Sequence, residues 1–204
     1  MSENKKVNAA ILIIGNEILS GRTQDTNTST LATWLNSIGV KVSEVRVIPD
    51  IENTIVDTIN ILRKENDYVF TTGGIGPTHD DITASSVSKA FGRKYEIHKE
   101  AFKILESYYQ PGEFNEGRQR MVWMPENADL IYNPTSGAPG FSVENVFCLP
   151  GVPSIMKSML GGLKNKIVGG EPILSHTISL RTVESEIANS LTKVQDQNKD
   201  VEIG

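Results

Sequence analysis

Two adjacent carboxylates close a glycine-rich run, Thr71-Thr72-Gly73-Gly74-Ile75-Gly76-Pro77-Thr78-His79-Asp80-Asp81-Ile82-Thr83. By type and spacing these are the residues of the chain best suited to chemistry. Glycines let a backbone approach a ligand closely, and free N–H groups at the start of a following helix suit an anion. The aspartates oppose a bare phosphate. Like charges about 4 Å apart near a protein surface repel by roughly 4 kcal/mol, so phosphate here calls for a bridging cation or for carboxylates turned aside. The expectation is a phosphorylated ligand, with a divalent metal as one means of holding it. Neither common phosphate motif fits, because no Gly-Lys-Ser/Thr ends the loop and His79 stands where a dinucleotide fingerprint wants its third glycine. Asp81 also has a plainer reading as the N-cap of a helix starting near Ile82, worth about 1 kcal/mol. The two roles are compatible.

Other candidates are each open to two readings. Glu17 either binds a cation or caps neighbouring amides. Asn27 contacts ligand or caps the helix expected from about Thr26. Asp50 is a second site carboxylate or a turn residue, since Pro-Asp starts turns readily. His79 is read as a solvent-facing loop residue rather than a general base, because no Ser or Cys is linked to it as nucleophile. Arg118 and Arg120 sit in an expected helix before Trp123 and serve either as phosphate contacts or as its charged outer face. The single cysteine, Cys148, excludes an internal disulfide framework and cysteine-rich zinc sites, and its apolar neighbours Val146, Phe147 and Leu149 imply a buried structural thiol.

The elements that must position these groups alternate between strand and helix. Val7 to Ile14 reads as a buried strand, and Leu31, Trp34, Leu35 and Ile38 form one helical stripe ended by Gly39. Val40 to Ile48 is a second strand, Ile51 to Leu62 a helix and Tyr68 to Thr72 a third strand. Lys99 to Tyr109 and Asn115 to Met124 read as helices, Asp129 to Tyr132 and Val143 to Leu149 as strands, and the segment after Pro153 as a helix to about Leu160. The pattern predicts a three-layer α/β/α fold with a mostly parallel sheet, whose ligands bind beyond the carboxyl ends of the strands. Gly15-Asn16-Glu17, Pro49-Asp50 and Thr72-Gly73-Gly74 should then share one rim.

A domain over residues 1–168 is expected, followed at 171–204 by a small, incomplete α/β appendage with strands at Ser175 to Val183 and Asp200 to Ile203 around a helix from Glu184 to Val194. Composition is that of an ordinary globular chain, 204 residues with 38% hydrophobic and 22% charged. The net charge of −5 offers no broad attraction to a nucleic-acid polymer or an anionic membrane. With no apolar run long enough for a signal or a span, a cytoplasmic location is the expectation.

Four segments, Gly15-Asn16-Glu17-Ile18-Leu19, Thr71 to Thr83, Asn133 to Phe141 and Leu149 to Pro153, together resemble the molybdopterin-binding domain family of molybdenum-cofactor biosynthesis proteins. The last two tie the chain most closely to the N-terminal domain of competence/damage-inducible protein A. The likeness covers about residues 7 to 165. It implies a rim that binds molybdopterin or another phosphorylated pterin or nucleotide, in a homo-oligomer. Gly73, Gly74 and Gly76 would shape the pocket, Thr72, Thr78 and Ser136 would donate hydrogen bonds, and Asp81 and Asp50 would be the opposed carboxylates. Gly15, Asn16, Glu17, Asn27, Pro77, Thr83, Gly137, Pro139, Gly140, Pro150 and Gly151 complete the implied ligand contacts, and Trp123 would be core or a pterin stack. The resemblance also implies an alternative, metal-dependent cleavage of nucleotide pyrophosphates such as ADP-ribose or FAD. Asp80, Asp81 and Asp50 would then be catalytic, and Asp80, Asp81 and Glu17 would hold Mg²⁺ or Mn²⁺, which oxygen ligands favour. A non-catalytic oligomeric module is the third reading. Ile155 stands where many relatives carry a glutamate, which removes one acid from the second turn.

Overall fold

The computed structural model describes residues 7–172, 174–201 and 203, in two units that divide between Leu174 and Ser175. In chain order the first unit contains β1 (Val7–Ile14), α1 (Asn16–Leu19), α2 (Asn27–Ser37), β2 (Val40–Ile48), α3 (Glu52–Glu65), β3 (Tyr68–Thr72) and α4 (Thr83–Ala90). Then come β4 (Tyr95–Ile97), α5 (Lys99–Tyr108), α6 (Glu116–Gln119), a 3-10 turn (Arg120–Val122), β5 (Trp123–Pro125), β6 (Asp129–Ile131), β7 (Gly140–Val143), β8 (Val146–Leu149) and α7 (Pro153–Leu163).

Strand β1 shows why the sheet is covered on both faces. Ala10, Leu12 and Ile14 enter one apolar cluster with Ile55, Ile59 and Val87, whereas Ala9, Ile11 and Ile13 enter another with Leu31, Leu35 and Met159. Alternate side chains of a strand point to opposite faces, so a strand sandwiched between helices must be apolar throughout. The six strands run in the order β2-β1-β3-β8-β7-β6, with β2, β1, β3 and β8 mutually parallel and β7 antiparallel to both its neighbours. This is the three-layer, mostly parallel α/β fold that the alternation of elements predicts. Phe70 at its centre stacks on Phe147 at 5.1 Å and meets Trp34 edge-on at 6.0 Å.

Three expectations need correction. The segment 143–149 is a hairpin and not one strand: Val143 pairs with Val146 across a two-residue turn, in which Glu144 has φ +52°. Asn145 fixes that turn by donating through Nδ2 to the carbonyls of Arg63 and Asn66, a tertiary contact with no local signature. The helix expected at 115–124 stops after α6 and the 3-10 turn, and Trp123 to Pro125 instead pair with β4, which the sequence reading passed over. Pro125 disfavours helical backbone at Met124, and the pairing takes over. In the second unit α8 (Glu184–Gln197) forms, but residues 175–183 are in no strand and neither are Asp200 and Val201; Glu202 lies outside the described residues. Among the described residues no helix is long and apolar enough to cross a membrane.

Cys148 lies fully buried in β8, and burial pushes its thiol up to about 12. Near pH 8 roughly one such thiol in 10⁴ is ionised, and the thiolate is the nucleophile. Native protein should therefore take up no iodoacetamide at about that pH, whereas urea-unfolded protein should add one label, read by intact mass.

Candidate functional site

Because β2, β1, β3 and β8 run parallel, the turns that follow them lie on one rim, and hydrogen bonds tie those turns together. The Gly15 amide donates to the Ile48 carbonyl at 3.1 Å, and the Asn16 amide donates to Asp50 Oδ2 at 2.9 Å, joining the turns after β1 and β2. The Gly73 amide donates to the Leu149 carbonyl at 3.1 Å, which joins those after β3 and β8. The glycine loop is closed from the far side by Thr83, whose amide donates to the Gly74 carbonyl and whose hydroxyl donates to the Gly73 carbonyl, both at 2.9 Å. Asp81 accepts from the Thr78 amide at 2.7 Å. The Thr78 hydroxyl lies within bonding reach of Asp80 and Asp81, and Arg120 donates to the Thr78 carbonyl at 3.3 Å.

Gly73, itself buried, and Gly74, half-buried, form a short backbone ridge; Gly73 lines one hollow and Gly74 another. On the Gly74 side a surface hollow, open to solvent, is lined by Gly76, Asp81, Tyr95, Arg120, Trp123 and Pro139, among others. On the Gly73 side a second hollow, likewise open to solvent, is lined by Glu17, Asp25, Asn27, Thr72 and Gly151, with others. Asn27 is the best-defined group of this second hollow. Only 6% exposed, it donates through Nδ2 to the Gly151 carbonyl at 2.8 Å and lies 3.5 Å from the Thr72 hydroxyl. Its Oδ1 is buried and meets no donor among the described residues. A buried acceptor without a donor is costly in a native structure and asks for an explanation.

The rim is acidic. Burial raises the Asp50 carboxyl above the ordinary carboxylate range, and the like charges of Glu17 and Asp80 add to that rise against the bond from Asn16. The Thr78 hydroxyl holds Asp80 below it. A carboxyl raised on folding is favoured protonated, so its cost is absent below the unfolded value near 4 and grows as pH rises through the folded one. Asp50→Asn keeps an acceptor for the Asn16 amide and removes the charge. We expect no gain in Tm over wild type near pH 3.5 and a gain near pH 7 of no more than about 3 °C, because solvent screens so exposed a carboxylate. Paired thermal melts at the two pH values check it.

Among the described residues no three of His, Cys, Asp and Glu are grouped to hold a metal ion, so Asp80, Asp81 and Glu17 do not make a ligand set by themselves. The capping roles change too. Helix α4 starts at Thr83 without a side-chain cap, and Asp81 turns back to Thr78. Helix α2 is capped by Asp25, whose Oδ1 accepts from the amides of Asn27 and Thr28 at 2.9 and 3.2 Å. The sequence reading missed Asp25, though an aspartate two residues before a helix is a readable signal.

Of the residues named from sequence, the structure brings Gly74, Gly76, Asp81 and Pro139 to one hollow, and Glu17, Asn27, Thr72, Gly73 and Gly151 to the other. Others are taken up by the scaffold. Thr83 is buried beneath the ridge, the Ser136 hydroxyl accepts from Asn133 within its own loop, Gly137 sits against the Tyr108 ring, and Gly140 belongs to β7. Neither Ser136 nor Pro150 is among the residues lining either hollow. Tyr95 was not foreseen, since β4 itself was not.

Comparison with known proteins fits this geometry. The profile of a family described as a probable molybdopterin binding domain matches residues 10–176, a stretch that holds the rim and both hollows. The chain belongs to the molybdopterin-binding domain family. Within it, the CinA protein of Thermoplasma acidophilum, whose function is given as unknown, superposes with a TM-score of 0.74 at 32% identity over 80% of this chain and 99% of that one. A protein of Archaeoglobus fulgidus is 36% identical over 95% of this chain and 83% of its own length. A CinA-like protein of Citrifermentans bemidjiense is 38% identical over 74% of this chain, which spans only 38% of that relative's length. The molybdopterin biosynthesis enzyme MoaB of Thermus thermophilus shares the fold, with a TM-score of 0.53 at 16% identity. The family assignment points to a pterin-type ligand.

Proposed function

We propose that this molybdopterin-binding domain holds a phosphorylated pterin or nucleotide across the Gly73–Gly74 ridge. The observation that carries the reading is the glycine turn itself: backbone without side chains that lines two hollows at the ends of four parallel strands. Ligands of open α/β sheets bind beyond the carboxyl ends of strands, and glycine lets a phosphate reach the main chain. The carboxylates set the limits: Asp81 is turned toward Thr78 and so withdrawn from a phosphate on the ridge.

A thermal-shift titration with molybdopterin, AMP, ADP-ribose and FAD, each with and without MgCl₂, tests this. A ligand at 100 times its Kd adds about 2.7 kcal/mol to stability, which raises Tm by about 5–10 °C in a chain of this size. At least one phosphorylated compound should do so, and adenosine should not. No shift with any of the four, with or without Mg²⁺, would sink the reading. Product analysis of the same mixtures decides whether a bound pyrophosphate is also cleaved.

A further inference from the structure

We propose that the hollow on the Gly74 side is a divided subsite, in which Trp123 and Tyr95 receive the planar ring of the ligand and Arg120 its phosphate. This deepens the reading just given and rests on it.

The ring platform is built by a strand pair that packs outside the main sheet. Pairing sets Ile97 opposite Trp123 and Tyr95 opposite Pro125, so Tyr95 and Trp123 are diagonal neighbours on one face of a rigid ladder. Their ring centroids are 5.4 Å apart and tilted by 43°. Neither ring closes over the core: Tyr95 stays 39% exposed and Trp123 37%, both bordering the hollow that Gly74, Gly76 and Asp81 also line. Met124, next to Trp123 in β5 and 2% exposed, turns into the core on the other face of the strand pair. An aromatic pair left partly exposed beside the glycine turn suits a flat heteroaromatic ring, because stacking needs a π face and no particular pattern of donors.

Arg120 supplies the complementary charge. Among the described residues it is the one cationic side chain lining either hollow. It donates to the Thr78 carbonyl at 3.3 Å, which anchors it to the glycine loop, and its charge lies near enough to Tyr95 to act on the phenol. A guanidinium has five donors in a planar fork, so one bond to Thr78 leaves others for phosphate oxygens. It stands in an acidic rim, where Asp81 lines the same hollow. A phosphate between ridge and Arg120 therefore needs that cation, and a ring attached through a sugar then falls on the two aromatics.

The test compares ligands that share a phosphate and differ in the ring. AMP and molybdopterin are titrated calorimetrically against ribose 5-phosphate, using wild type, Trp123→Ala, Trp123→Phe and Arg120→Gln. Emission is followed in a Trp34→Phe background, which leaves Trp123 as the sole indole. Trp123→Ala should weaken the ring-bearing ligand by about tenfold or more and ribose 5-phosphate by less than about twofold. Trp123→Phe should restore ring binding to within about threefold, which a merely misfolded alanine variant does not foretell. Arg120→Gln should weaken all three about equally, and AMP should quench the Trp123 emission. Unchanged AMP and molybdopterin affinity in Trp123→Ala overturns the ring platform while leaving phosphate binding at the ridge intact. Binding by wild type of ribose 5-phosphate as tightly as AMP, without quenching, does the same. If wild type binds none of the three, this proposal falls, and the function on which it rests falls with it only if ADP-ribose and FAD also fail to bind.

Discussion

Gly73→Ala should cost the first unit about 3 kcal/mol or more and abolish ligand binding, whereas Gly21→Ala should cost only about 1 kcal/mol. Both glycines have positive φ, +101° at Gly73 and +72° at Gly21, so both substitutions carry backbone strain. They differ in what the new methyl would meet. At Gly21 nothing lies within 4 Å, but at Gly73 the Cβ would collide with the carbonyl oxygen of Ile14, the last residue of β1. That oxygen belongs to main chain held by the sheet, so it has no rotamer through which to give way. Relief would require the ends of β1 and β3 to part, and with them the Gly73 bond to Leu149. Urea unfolding followed by far-UV circular dichroism measures the two costs side by side. Equal losses at both positions would show that the ridge tolerates a side chain and that its close approach to β1 is not what demands glycine.

How far the sequence foretells this architecture depends on whether the deciding interactions are local. β1, β2 and β3 are readable because burial on both faces of a parallel sheet writes a dense apolar run, and α2 and α3 because one buried stripe repeats at helical spacing. The rim follows from those elements, since parallel strands must all end on the same side. Where pairing partners are distant, the reading fails. Nothing in Val143 to Leu149 announces a turn. Glu144 is an unexpected residue at positive φ, and the turn is held by Asn145 reaching to the end of α3, about eighty positions earlier in the chain. Trp123 to Pro125 looks like the end of a helix until β4 is available to pair with it. The strand expected at 175–183 alternates well enough, but a strand needs a neighbour, and among the described residues none pairs with it.

The site divides along the same line. The glycine loop and its aspartates were legible because backbone conformation and charge are properties of the segment itself. What each aspartate does was not, since Asp81 bonds to Thr78 instead of capping α4, and Asp25, absent from the expected site, caps α2 and lines a hollow. The second side of the ridge comes from Tyr95, Arg120 and Trp123, and their relation to Gly74 exists only once β4 and β5 have paired. Asn27 lay between cap and ligand contact on sequence grounds. Its side chain instead spans from α2 to the turn after β8, across 124 positions of chain.

That span makes Asn27 a sensitive polar position in the rim. Asn27→Asp should leave stability close to wild type near pH 3.5 and lower it by about 2–4 kcal/mol near pH 8. The substitution is nearly isosteric and changes one group, the Nδ2 that donates to the Gly151 carbonyl. A protonated carboxyl can replace that donor through its O–H, but a carboxylate can only set an oxygen against the carbonyl oxygen. At 6% exposure the charge would also be taken out of water, and a buried polar group left without its hydrogen bond costs about 1–3 kcal/mol, more when it is charged. The start of α2 returns part of this, about 0.3–1 kcal/mol, because a negative group is favoured at a helix N-terminus. Burial of the unpaired charge outweighs that return. The folded state thus raises the new carboxyl above its unfolded value near 4, and the loss grows as pH climbs from that value toward the folded one, remaining complete beyond it. Urea midpoints for wild type and variant between about pH 3.5 and 8 should diverge along that course. A pH-independent difference would mean that the Asn27–Gly151 bond is dispensable and that the hollow beside Gly73 opens freely to water.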